Sequence, residues 1–554
     1  MNHNVDFEKT GQLIKKLLYE YVGTKTFTNS VEERNVEAFF INHFKQIPYF
    51  SKHPEYYGLY KIEDDVYDRS VCWALLRGKG NRTVCMVHHY DTVGVEDFKT
   101  LKDLAMKPDE LQDALKASSE MLSQEAREDL LSGKYIFGKG VCDMKAGGAI
   151  QYALIEQYSK IEDFEGNLLI VGVPDEENLS AGMRGAVKLM AELKAKYRLE
   201  YDLMINSEPH QRTESEVGVI SLGSVGKMLP FVYVRGSLSH VGKAFEGLNP
   251  INIMSEIVRR TELNMDLTDL VGEENSPAPT WLYVKDSKSV YDVSMPLSAY
   301  GCLSVLTLTM RPQELLEKIK GICKDSFVKV IEEMNDAYHV FLKNTSRKIE
   351  KLPWEPKVCN YAELYSEALN ENGEAFERAY IEKASEIKEK LDRGELGLIE
   401  CNLMLIDFVY DYVKDISPRV VYGLVPPYYP CVSNLEREKE DLDLAGIFDD
   451  IKNYALEQFG QRYDREYFYT GISDLSYTSM KEPSRVREAL ESSMPLFGKF
   501  YNLPLEEIKE ISMPCINIGP WGKDFHKLTE RVLLEDLVER TPKIIDFVVK
   551  KRLG

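Results

Sequence analysis

A small set of acids and imidazoles stands where an open α/β sheet would carry them to one edge. His89-Tyr90-Asp91, Asp143, Glu176-Glu177, Glu208 and His526 each end a short apolar run or sit in a glycine-rich turn. Two histidines and several carboxylates are a donor set for a pair of divalent cations, with one carboxylate left over as a base. The chemistry such a set performs is metal-assisted hydrolysis.

His89 and Asp91 are two apart on a strand, so both side chains point to one face. Asp91 can then hold the imidazole of a metal-bound His89. A satisfied core histidine would give the same pattern, and His88 competes in the same strand while pointing to the other face. Asp143 lies among glycines in residues 138–148, where backbone can approach a ligand closely. One carboxylate there can bridge two cations ~3.5–4 Å apart, or it can simply cap the following helix. Asp175, Glu176 and Glu177 close an apolar strand and are costly there unless solvated or metal-bound, though acids at a helix N-terminus are also ordinary. We assign Glu177 as a ligand and Glu176 as the base, with a one-residue slip as the alternative. Glu208 caps another strand before Pro209, and His526 precedes the last helix, with Glu530 one turn on. The cofactor expected is two divalent metal ions, zinc first, with cobalt or manganese compatible with the same donors.

The elements that must position these residues are legible as alternating patterns. Helical spacing covers 7–21 and 31–46, the latter after Ser30 with Glu33 placed as in a capping box. Residues 71–78 and 83–91 read as paired strands around a Gly-Lys-Gly-Asn turn. A helix at 147–159, a buried strand at 167–177, a helix at 185–197 and a strand at 201–209 follow. The fold class expected is α/β, a mostly parallel sheet with helices on both faces. From 217 the order becomes β-β-α-β-β-α, with strands in 217–237 and 281–310 and helices at 250–262 and 313–343. This suits an inserted α+β domain. The division expected is 1–215 and 363–554 for the catalytic domain and 216–362 for a lid or dimerisation-type domain. Strands return at 419–425 and 514–520, and an amphipathic helix lies at about 533–549.

At 554 residues the chain exceeds one ordinary core. A net charge of -21 argues against nucleic acid or an anionic membrane as partner. The nine cysteines are spread singly without a CxxC pair, which suggests neither a disulfide framework nor a cysteine zinc site and fits a reducing cytoplasm. The N-terminal segment lacks the apolar stretch of a signal peptide, and no run is long enough to span a bilayer.

The series His-Tyr-Asp (89–91), Gly-Lys-Gly-Val-Cys-Asp-Met-Lys (138–145), Asp-Glu-Glu (175–177), Ser-Glu-Pro (207–209) and the late Gly-Pro-Trp-Gly…His-Lys-Leu-Thr-Glu (519–530) resembles the zinc metallopeptidase family of aminoacylase, glutamate carboxypeptidase and succinyl-diaminopimelate desuccinylase. Length and extra helices look most like its bacterial arginine-utilisation (RocB) branch. The resemblance implies that His89 and Glu208 hold one zinc, Glu177 and His526 the other, and Asp143 bridges them. It implies that Asp91 orients His89 and Glu176 is the base. Residues 234–251 match the family's Arg-Gly…His…Gly-x-Asn segment, which makes His240 the oxyanion donor, often in a partner subunit's site, and Asn249 a substrate ligand. Gly-Ile-Ser-Asp (471–474) matches a Gly-x-Thr-Asp stretch, with Ser473 in place of Thr. Departures are His88 for Gly, Lys139 for Arg, and Phe245 where Pro usually follows the lid histidine.

The reaction expected is hydrolysis of an amide in a small peptide or N-acyl amino acid, and the resemblance implies one used in arginine or ornithine utilisation. A substrate carboxylate would need a cation or backbone amides, for which Arg235, Arg311, Gly519 and Gly522 are the candidates. The partner expected is that small-molecule or peptide substrate, with a homodimer possible. Competing readings are cleavage of a ureido or carbamoyl C–N bond on the same metals, a non-catalytic binding protein that kept the fold, and a phosphoesterase.

Overall fold

The computed structural model describes residues 5–212 and 217–554. The chain forms two compact units. The first comprises Met1–Ser224, Val432–Lys481 and Glu506–Gly554, and the second Val225–Cys431 and Glu482–Leu505. No helix among the described residues is long and apolar enough to cross a membrane.

The first unit is built on an eight-stranded mixed sheet. Its order is Tyr57–Lys61, Ser70–Leu76, Asn167–Val173, Arg82–His89, Glu200–Asn206, Cys515–Asn517, Val217–Ser221, Arg462–Glu466. The four strands from Asn167–Val173 to Cys515–Asn517 run parallel. Asn167–Val173 is buried at every residue, as an uninterrupted apolar strand covered on both faces should be. Helices Phe7–Gly23, Lys145–Tyr158 and Thr541–Leu553 share one core with the sheet. The helix Lys145–Tyr158 starts through glycines for a steric reason: a Cβ on Gly147 would meet the Ser207 carbonyl oxygen at 2.5 Å, and one on Gly148 the His88 ring at 2.6 Å.

Two local expectations change. Ser70–Leu76 and Arg82–His89 are not a hairpin pair, because Asn167–Val173 lies between them. The Gly78–Asn81 turn instead wraps the start of that strand: the Asn167 side chain accepts from Gly78 N–H (3.1 Å) and donates to Gly80 O (3.1 Å). Ser30 does cap the turn Val31–Arg34, accepting from Glu32 N–H. Glu33, however, leaves the capping box for Arg69, 2.7 Å away.

The second unit carries a five-stranded sheet of order Thr280–Asp286, Ser298–Thr307, Gly226–Arg235, Arg419–Tyr429, Val358–Asn360. Helices Pro250–Thr261 and Pro312–Asn344 fall where the spacing predicts them. This unit is larger than 216–362. Val217–Ser221 stays with the first sheet. Helices Tyr361–Asn372, Glu374–Asp392 and Leu398–Tyr410 pack their apolar faces on the second sheet, with Phe376, Tyr380 and Leu405 against Phe231, Tyr233 and Val421. Arg419–Tyr429 then pairs antiparallel with Gly226–Arg235. Shared core and strand pairing thus draw the chain into the second unit as far as Cys431.

Candidate metal centre

The parallel strands of the first unit end together, and the polar residues follow their ends. His89 is the last residue of its strand, Glu176 and Glu177 follow the turn after Val173, Glu208 comes two residues after Asn206, and the 519–530 loop follows Asn517. This is the carboxyl edge of an open α/β sheet, where such folds bind ligands.

Asp143 sits at the middle of the cluster. Its Oδ1 lies 3.1 Å from His89 Nε2 and its Oδ2 2.9 Å from His526 Nε2. Glu208 Oε1 approaches His89 Nε2 at 3.4 Å, and Glu177 Oε1 approaches His526 Nε2 at 2.9 Å. The set divides into two halves that share Asp143. Glu176 Oε2 stands 3.9 Å from His89 Nε2. Ligand atoms of His89, Asp143 and Glu177 fall within 4.8 Å of one another, as do those of His89, Glu176 and Glu208. Proximity alone therefore qualifies Glu176 as a ligand as well as a base. His89 is fully buried while the His526 side chain is 45% exposed, so solvent reaches the cluster from the His526 half.

Three devices hold these groups. Asp91 accepts from the backbone N–H of Glu176 (3.1 Å) and Glu177 (3.3 Å) and from Thr28 Oγ1 (2.9 Å). Its Oδ1 lies 3.6 Å from His89 Nδ1, and its backbone oxygen is nearer, at 3.1 Å. Asp91 thus ties the acidic turn to the His89 strand. Asp175 takes a left-handed φ of 67°, and its carboxylate is held by Arg69 Nη1 (2.8 Å) and Ala181 N–H (3.0 Å). His526 also has a left-handed φ, 66°, in a loop pinned by Arg531, which pairs with Asp129 and Asp524. Non-glycine residues held in that region mark sites whose surroundings fix them.

The electrostatics are those of a site short of positive charge. Burial raises Glu176 and Glu208 well above the ordinary carboxylate range; Glu208 adds to the rise at Glu176, and Asp143, Asp474 and Glu177 add to the rise at Glu208. Asp143 is buried too, yet hydrogen bonds to His526 and His89 hold it below that range. Hydrogen bonds to Asp143 and Glu177 lift His526 to about 10. Burial opposes charge on His89, but Glu208 and the bonds to Asp143 and Asp91 raise it well above its ordinary value. The carboxylates outnumber the imidazoles, and buried acids of this kind are stabilised by bound cations. Imidazole and carboxylate donors at these spacings fit divalent metal ions.

His88 is excluded from the cluster. Its Nδ1 meets Gln151 Oε1 (2.8 Å) and its Nε2 faces Tyr21 and Tyr152 hydroxyls (3.1 and 3.2 Å), in the core on the other side of the strand. Asp474 is a residue the spacing did not single out. It is fully buried, neither carboxylate oxygen has a hydrogen-bond partner, and burial pushes its pKa up to about 7 against the opposing pull of His89.

The expected substrate ligands are placed as follows. Gly519 and Gly522 belong to the first unit, and their reason is steric: a Cβ on Gly519 would stand 2.0 Å from the Glu208 carbonyl oxygen, and one on Gly522 2.8 Å from Cys142 Cβ. Gly522 N–H is already donated to the His210 carbonyl (3.4 Å), which removes it as a free amide. His240, Asn249, Arg235 and Arg311 belong to the second unit. His240 is exposed and accepts from Gly242 N–H at Nδ1 (3.0 Å). Asn249 caps helix Pro250–Thr261 through Ile251 N–H (3.0 Å). The Arg235 guanidinium lies 5.3 Å from the Tyr410 ring centroid, and Arg311 is paired with Glu482. Phe245, in the place of a usual proline, packs on Tyr338 and Phe341 of the long helix (ring centroids 5.0 and 5.3 Å apart).

The chain is similar to several known proteins. The chain is 32% identical to YqjN of Bacillus subtilis over 550 residues, covering 97% of this chain and 96% of that one. It is 27% identical to RocB of the same organism over 524 residues, covering 94% and 91%. Among solved structures, the metallo-carboxypeptidase Sso-CP2 of Sulfolobus solfataricus shares the fold with a TM-score of 0.52 at 10% identity, over 98% of each chain. The aminopeptidase PepT of Bacillus cereus does so with 0.51 at 13%, over 98% of this chain and 99% of that one. The model of peptidase family M20/M25/M40 matches residues 89–542, a span that opens on His89 and takes in His526. This chain therefore belongs to peptidase family M20/M25/M40, a family of metal-dependent peptidases and amidohydrolases.

Proposed function

We propose that the protein hydrolyses an amide bond of a small peptide or N-acyl amino acid on a pair of divalent metal ions, with Glu176 as the base. The observation that carries this is the division of Asp143 between two imidazoles, Oδ1 toward His89 and Oδ2 toward His526. In this reading His89 and Glu208 hold one ion, His526 and Glu177 the other, and Asp143 spans both. When bound, such a pair polarises a carbonyl and makes water nucleophilic near neutral pH. Glu176 takes the proton of the attacking water and returns it to the leaving amine. Glu176 stands 3.9 Å from His89 Nε2, farther off than Asp143 and Glu208, which suits a group that meets the water rather than an ion. Asp91 keeps His89 in one orientation. His240 donates to the oxyanion, a role that rests on the sequence match.

The arginine-utilisation resemblance sets the first substrates: N-acyl-arginines, N-acyl-ornithines and dipeptides containing them, beside a general panel of N-acyl amino acids. The test is amino-acid release by protein loaded with zinc, cobalt or manganese, with Glu176→Gln as the paired variant. Glu176→Gln should keep its metal and lose about 10²–10⁴-fold in turnover. Release that persists in the variant overturns the base assignment. No release from any amide, with two metals bound, overturns the amide reading and leaves the ureido or binding-protein readings standing.

A further inference from the structure

The glycine-rich loop that presents Asp143 is gripped from a distant part of the chain. Glu530 is fully buried, and its carboxylate and backbone both face this loop. Its Oε1 accepts from Cys142 N–H (3.3 Å) and Asp143 N–H (3.4 Å), and its Oε2 lies 3.4 Å from Lys139 Nζ. Its backbone oxygen accepts from Gly138 N–H (3.1 Å). Lys139 is 1% exposed, so the pair is shut away from water. A buried carboxylate is costly unless it is paired and hydrogen-bonded, and burying it does little for stability compared with an apolar side chain. Its use here needs another reason.

We propose that Glu530 is a positioning residue for Asp143: it fixes the 138–143 loop by its amides so that both oxygens of Asp143 face the two imidazoles. The inference rests on the reading of Asp143 as a metal ligand. The three side-chain contacts are long, at 3.3–3.4 Å, but all four bonds converge on one loop that has glycine at 138 and 140 and no strand or helix of its own to stiffen it. Glu530 also lies four residues after His526. One segment thus supplies an imidazole to one half of the cluster and the clamp on the shared carboxylate. A shift of that segment would move both together, which keeps the distance between His526 and Asp143 constant.

The proposal separates reach from charge, and two variants test it. Glu530→Asp keeps the charge but draws the carboxylate back by one methylene from the loop amides. The double variant Lys139→Met/Glu530→Gln removes both charges but keeps an amide oxygen as acceptor. Metal dissociation constants are read by competition with a chromophoric chelator, and the cobalt-loaded proteins by their visible spectra. Glu530→Asp should bind metal about 10–100-fold more weakly, the cost of losing a group that orients a ligand, with an altered cobalt spectrum. The double variant should retain the wild-type affinity and spectrum. A folded Glu530→Asp protein with wild-type affinity overturns the proposal, whatever its melting temperature. So does a folded double variant that loses affinity, since charge and not reach would then be responsible. Asp143→Ala serves as the control: if it too binds metal normally, the ligand reading has failed rather than the clamp.

Discussion

At the scale of single residues, the centre is asymmetric. His89 is buried among Asp91, Asp143 and Glu208, whereas His526 stands half in solvent on a left-handed loop residue. His526→Ala should therefore release one ion and leave the other held by the buried half. Elemental analysis after dialysis checks this, and retention of both ions would remove His526 from the ligand set. His88 makes a second prediction, through pH. Burial pulls its pKa down from 6.5 to about 4. Between those values the unfolded chain takes up a proton that the folded chain refuses, so stability is lost as pH falls through the window and no further below it. The full effect is roughly 3 kcal/mol. Denaturant unfolding of His88→Gln should show a stability difference from the parent that is constant above pH 6.5 and shifts by that amount by pH 4. A difference that stays constant throughout would mean His88 is not held neutral. The residues of the acid and imidazole cluster were legible because each ends an apolar run or a glycine turn. Thr28 and Arg69 were not, and the motifs that hold Asp474 and Glu530 gave no sign of their surroundings, because a buried polar residue in a turn has no spacing signature and its partners lie far off in sequence.

At the scale of elements, the acidic turn depends on one guanidinium. Arg69 meets Glu33, Asp65 and Asp175 at 2.7, 2.6 and 2.8 Å, and all four side chains are 5% exposed or less. Arg69→Met would leave those carboxylates without a counterion and should cost about 3–5 kcal/mol, measured by denaturant unfolding. A loss below ~1 kcal/mol would mean that the acids relax to water or protonate without strain. Pattern predicted the helices Phe7–Gly23 and Pro250–Thr261 and the strand Asn167–Val173 to within a few residues. It did not predict that Asn167–Val173 enters between Ser70–Leu76 and Arg82–His89, since alternation shows which face of a strand is buried but not which neighbour it takes. The helices between 361 and 410 show the same limit. Their apolar faces announce a core to cover, and only the aromatic residues of the second sheet decide which core.

At the scale of the whole molecule, each unit has its own sheet and its own apolar core, and the proposed metals belong to the first. Calorimetry is expected to resolve two transitions. Added zinc should raise the one belonging to the first unit, by about 2.7 kcal/mol at a free concentration a hundredfold above the dissociation constant. Phe376→Ala, at a fully buried position of the second core, should lower the other by about 3–5 kcal/mol. A single transition moved equally by both changes would show that the units unfold as one. The order of the chain has a consequence of its own. His526 and Asp143 are 383 positions apart, so at ~5–20 residues per second a ribosome makes the second imidazole roughly 20–80 s after the shared carboxylate. Throughout that interval the nascent polypeptide carries the acids without the partner that completes the cluster. On the proposed ligand set, loading of the second ion would wait until translation has passed the 519–530 loop, and a message truncated before it would yield a protein lacking that ion.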